Sequence, residues 1–89
     1  MMAGQNTQIV TVDGRRRLLV NGRIVQTRTG VQKRIEALTD AIDKRLPAFR
    51  QALDASTLLR QAQERVDRRI QTLKHVRAEL LAVVDQLDD

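Results

Sequence analysis

Arginine is the residue that could do chemistry in this chain. Thirteen of its sixteen basic residues are arginine. The planar guanidinium fork suits phosphate and carboxylate contacts. Seven bases (Arg15, Arg16, Arg17, Arg23, Arg28, Lys33 and Arg34) precede residue 35, against one acid, Asp13. Residues 35–89 hold nine bases and ten acids, so the formal net charge of +5 is carried by the N-terminal third. Such asymmetry steers association with an anionic partner. Arg15, Arg16, Arg17, Arg23 and Arg28 are therefore the candidate anion-binding residues.

Other reactive side chains are sparse. His75 is the single histidine and Ser56 the single serine. His75 lies beside an apolar helical stripe with no partner at metal-ligand spacing, and Ser56 reads as a helix cap. The acid pairs Asp40–Asp43 and Glu64–Asp67 sit three apart, which on a charged helical face reads as solvated surface. No phosphate loop, HExxH, GxSxG or GxGxxG pattern occurs. We expect no enzyme, no catalytic or metal residue and no cofactor.

Composition narrows the class further. Eighty-nine residues allow one small domain. Phe49 is the only aromatic residue and there is no cysteine, so the core must be aliphatic and disulfide staples are excluded. A small aliphatic core stabilises a single copy poorly, and oligomerisation is the usual remedy. The opening MMAGQNTQ has no apolar segment of a secretory signal. No stretch approaches the ~18 apolar residues of a membrane span. The expected location is the cytoplasm, or a particle assembled there.

The arginines must be positioned by strands. Asp13-Gly14 and Asn21-Gly22 are both two-residue hairpin signals, flanked by Val, Ile and Thr. They predict an N-terminal three-stranded antiparallel β-meander, strands about 7–12, 15–20 and 23–28, after a flexible 1–6. The turns set Ile9 opposite Leu18, Val10 opposite Arg17, Leu18 opposite Val25 and Arg15 opposite Arg28. The row Ile9–Leu18–Val25 is the core-facing side. The other side carries Arg15, Arg17 and Arg28, with Val10 and Val12 interrupting it. Arg15 opposite Arg28 is a repulsive pair unless an anion sits between them.

Residues 30–89 read as helix, about 30–53 and 57–88. Thr29 and Gln32 have the spacing of a capping box. Val31, Ile35, Leu38, Ile42 and Leu46 recur at helical spacing. Pro47 predicts a kink or restart, and Asp54-Ala55-Ser56-Thr57 predicts a second helix start. Leu59, Val66, Leu73, Leu80 and Leu87 then fall seven apart, with Val76 and Val83 in the alternate position. This ladder is either a coiled-coil seam between copies or the inner face of an intramolecular hairpin. Arg60, Glu64 and Arg68 have the spacing of i,i+4 ion pairs. Asp85, Asp88 and Asp89 load acid onto the negative end of the helix dipole; either that end frays or it meets a basic partner.

The sequence thus predicts an α+β fold, a basic β-meander on a long helical hairpin or kinked rod with coiled-coil character. The functional expectation is a structural or assembly subunit. It self-associates through the ladder and docks its arginine-bearing sheet on other proteins of a larger assembly. A part of a bacteriophage virion or of a secretion machine fits that description. The alternative is a nucleic-acid-binding regulator or nucleoid-type protein that uses the N-terminal arginines.

Overall fold

The computed structural model describes residues 6–53 and 57–89. The expected cap residues Asp54 and Ser56, and residues 1–5 of the expected flexible stretch 1–6, lie outside the described residues; Asn6 is hydrogen-bonded to Asn21. The element order is β1 (Thr7–Val12), β2 (Arg15–Val20), β3 (Ile24–Gln26), α1 (Arg28–Asp40), a π-helical segment (Ala41–Arg45), α2 (Leu46–Ala52), α3 (Thr57–Val83) and a 3-10 turn (Val84–Gln86). The sheet is antiparallel in the order β1-β2-β3, so the α+β fold with an N-terminal meander is as expected.

Asp13 and Asn21 adopt positive φ (53° and 54°), as do Gly14 and Gly22 (80° and 70°). This is the backbone that type I′ turns need. Across the first turn, Ile9 faces Leu18 and Val10 faces Arg17, as the sequence predicts. Across the second the register differs by one. Leu18 faces Gln26, Leu19 faces Val25 and Val20 faces Ile24. The Arg23 N–H closes the turn on the Val20 carbonyl at 3.1 Å, and Arg23 itself stays outside the ladder. A one-residue slip moves every side chain to the opposite face. Val25 therefore joins Leu19 on the outer side and is 52 % exposed. The strand ends at Gln26 rather than residue 28. Arg28 lies in α1, so the Arg15–Arg28 cross-strand pair does not form.

The earlier end of β3 moves the helix start. Thr27, not Thr29, is the N-cap of α1, and its Oγ1 accepts from the Gly30 N–H at 3.1 Å. At the other end of this arm Pro47 opens α2, and the π-helical segment immediately precedes it. The Leu46 N–H reaches back five residues, to the Ala41 carbonyl. Widening the turn by one residue relieves the clash between a proline ring and the carbonyl four residues earlier.

α3 returns antiparallel to α1 and α2, which sets the core. Leu18 and Val20 from the sheet meet Val31, Leu38 and Ile42 from the first arm. Val76, Leu80, Val84 and Leu87 close it from the other arm. Ile9, Ile35, Ile70, Leu73 and Val83 pack around the edge. No buried side chain of α2 contributes, so the hydrophobic interior thins toward the end of the hairpin farthest from the sheet. The molecule is elongated, 56 × 26 × 18 Å. No helix among the described residues is long and apolar enough to cross a membrane.

Candidate interaction surfaces

The C-terminal segment decides what the basic sheet can do. After the 3-10 turn the chain straightens at Leu87 (φ −96°, ψ 152°). It runs beside the first half of β2, alongside which β3 does not extend. The Asp88 N–H donates to the Arg16 carbonyl at 3.0 Å. The Arg16 N–H donates to Asp88 Oδ2 at 2.8 Å, and the Arg16 guanidinium lies 3.7 Å from the same oxygen. Arg17 donates to the main-chain oxygens of Asp88 and Asp89 at 2.8 and 3.0 Å. Arg15 reaches the Asp89 main-chain oxygen at 2.9 Å. Arg28 pairs with Asp85 at 3.4 Å.

The same segment caps α1. The Arg28 N–H donates to the Asp88 carbonyl at 3.1 Å. The Thr29 N–H and hydroxyl both donate to Asp89 Oδ1, at 3.1 and 2.6 Å. With the Gly30 N–H on Thr27 Oγ1, the N–H groups of the first three helical residues all have partners, and the Val31 N–H makes the first bond of the ladder, to the Thr27 carbonyl. The acids that would oppose the dipole of α3 sit instead at the favourable end of α1. The Arg16 N–H, aided by the Arg16 and Arg17 charges, holds the Asp88 carboxyl below the ordinary value. The Thr29 hydroxyl and N–H do the same for Asp89.

Of the five candidate anion-binding arginines, Arg15, Arg16, Arg17 and Arg28 thus meet the chain's own C-terminus. Arg23, in the second turn, has no such contact among the described residues. The anionic group answering the basic head is internal: the acids at the end of the last helix do not fray but meet the chain's own arginines. The usable signal was Leu87. A fifth ladder residue means the chain stays docked to its last turn, and the acids beside it must then find partners.

The heptad ladder is internal too. Val66, Val76, Leu80 and Leu87 are buried within the single chain, and Leu73 and Val83 pack against the same core. Leu59 is half-buried. These side chains form the inner face of the hairpin, and the expected free seam is not a free surface.

Comparison with protein-family models, with curated proteins and with solved structures finds no match.

Two surfaces remain open at the sheet end. β1 is an edge strand, and among the described residues no strand pairs with it on the side away from β2. Val12 and Arg15 flank the first turn as a hydrogen-bonded pair, so Thr7, Ile9 and Thr11 direct their N–H and C=O groups outward. The outer sheet face carries Leu19 opposite Val25, with Val10 opposite Arg17 and Val12 opposite Arg15 beside them. At the far end, Arg50 pairs with Asp67 at 2.7 Å and Arg45 with Asp40 at 3.0 Å. Gln63 closes α2 by donating to the Arg50 and Leu53 carbonyls. Among the described residues the expected Arg60–Glu64–Arg68 ion pairs do not form, and His75 and Glu79 make an i,i+4 side-chain pair at 3.3 Å. Among the described residues no three His, Asp or Glu side chains gather as metal ligands.

Proposed function

We propose that this chain is a non-enzymatic assembly subunit that pairs with a second copy of itself through the open edge of β1. The observation that carries the reading is the character of that edge. Thr7–Val12 reads TQIVTV: six residues without charge, proline or bulge, the devices that normally protect an edge strand. Two copies related by a two-fold axis would pair β1 with β1 antiparallel and continue one sheet across the axis. Val10 and Val12 of the outer face would meet their counterparts across the axis.

Surface area supports the same conclusion. The chain exposes 6299 Å², whereas a compact monomer of this mass exposes about 5,300 Å². Its radius of gyration is 16.1 Å, against about 12 Å for a compact domain of this length. The surplus is comparable to the roughly 800 Å² each partner gives to a standard interface. Self-association thus passes from the leucine ladder, which is internal, to the sheet edge.

Sedimentation tests this directly. The wild-type chain should be dimeric at micromolar concentration. Thr11→Pro removes an outward N–H that the β1–β2 ladder does not use, and should give a folded monomer with an unchanged far-ultraviolet spectrum. A wild-type monomer at 100 micromolar, or a Thr11→Pro dimer of undiminished affinity, would overturn the reading.

A further inference from the structure

Folding moves the positive charge. Arg15, Arg16, Arg17 and Arg28 meet the segment of Asp85, Asp88 and Asp89, and outside residues 44–77 the chain holds seven bases and eight acids. Residues 44–77 hold nine bases against three acids, Asp54, Glu64 and Asp67. The excess that the sequence displays on its N-terminal third therefore resides, in the folded molecule, on the far end of the hairpin. Arg60, Arg65, Arg68, Arg69 and Lys74 are all exposed along α3, and none of them forms an ion pair among the described residues. Arg65 repels Arg68 and Arg69, three and four positions on.

We propose that the exposed side of this half of α3, where Arg65, Arg68 and Arg69 lie within about 100° of one another around the helix and Arg60 and Lys74 flank them, is a binding surface for the phosphate backbone of duplex DNA. From Arg60 to Lys74 the helix advances about 21 Å, and that length of duplex presents about twelve phosphate charges. The other exposed side chains of the stretch include Gln61, Glu64, Gln71 and His75. None is apolar, so the face has nothing to insert into a lipid bilayer. Four of the five cations are arginines, which bind phosphate oxygens bidentately. With Phe49 the only ring in the chain, stacking on single-stranded bases has no platform. A groove of about 190 Å³ between the π-helical segment and α3 adds a seat. Arg45 and Arg69 flank it over Ala41, Leu46 and Leu73. Binding through such a surface is independent of sequence and releases counterions.

This surface lies at the opposite end from β1, so it stands or falls separately from self-association. The test is fluorescence anisotropy of a labelled 25-base-pair duplex with the full chain between 25 and 200 mM salt. Four to five phosphate contacts predict a slope of log affinity against log salt of about −3.6 to −4.5 per chain. Replacing Arg65, Arg68 and Arg69 with Gln should cut the slope by about 2.7 and weaken binding at least tenfold at 50 mM salt. Glu64→Gln, which only removes a negative charge, should strengthen binding. Arg23→Gln, on the sheet, should change nothing. No binding by wild type at 25 mM salt would overturn the proposal. So would equal binding by the triple variant, or tighter binding to vesicles containing 30 % phosphatidylserine than to the duplex.

Discussion

Asp88 and Asp89 each serve two elements at once. Asp88 pairs its backbone and its carboxylate with Arg16, and Asp89 receives the Thr29 N–H and hydroxyl. Both carboxyls are held below their ordinary values, chiefly by the Arg16 N–H and the Thr29 hydroxyl. A depressed carboxyl contributes stability above its unfolded value, near 4, and that stability disappears as pH falls through the folded value. Urea unfolding midpoints should hold steady from pH 7 to 5 and decline below about pH 4. The variant with Asp88→Asn and Asp89→Asn should show a shallower decline. Thr27 offers a second test at this scale, because the cap sits there and not at Thr29. Thr27→Ala should cost about 1 kcal/mol in urea denaturation.

At the scale of elements, the inward face of α3 carries the stability of the hairpin. Leu80 is 2 % exposed and lies in the same core as Leu18, Val31 and Leu38. Leu80→Ala should cost about 2–5 kcal/mol, whereas Val25→Ala, on the outer sheet face, should cost well under 1 kcal/mol. Leu73→Asp separates the two roles a heptad ladder can have. It should unfold the chain rather than dissociate folded copies, as seen by comparing sedimentation with circular dichroism. The turn signals and the apolar period located every helix and strand, because both are local. The β3 register was not local. Asn21-Gly22 asks for a turn of this kind but does not dictate whether Arg23 enters the ladder. The choice depends on where α1 starts and on the C-terminal segment that lies beside Arg16.

At the scale of the molecule, sheet and hairpin are held together at one end by the last three residues. Leu87 is 1 % exposed, and its neighbours Asp88 and Asp89 tie β2 to the start of α1. Deleting residues 87–89 should cost more than about 3 kcal/mol, since a buried leucine and a set of charge-assisted hydrogen bonds go together. Hydrogen exchange should show β2 and β3 amides losing protection before the middle of α3 does. The far end, with no buried side chain in α2, should exchange readily in both forms.

The order of elements, the two turns with positive φ, the aliphatic inward stripe and the total charge all follow from neighbouring residues. These are local preferences and counts, and no distant part of the chain can alter them. Where the charge lies and what the ladder touches are different matters. The arginines at 15–17 and the aspartates at 88–89 are more than seventy positions apart in sequence. Only the antiparallel return of α3 brings them into contact. That return brings the chain's own acids to the basic head, encloses the leucines and leaves Arg60, Arg65, Arg68 and Arg69 exposed along α3. Electrostatics and burial act through space, so the tertiary fold alone decides which charged and apolar groups face the solvent.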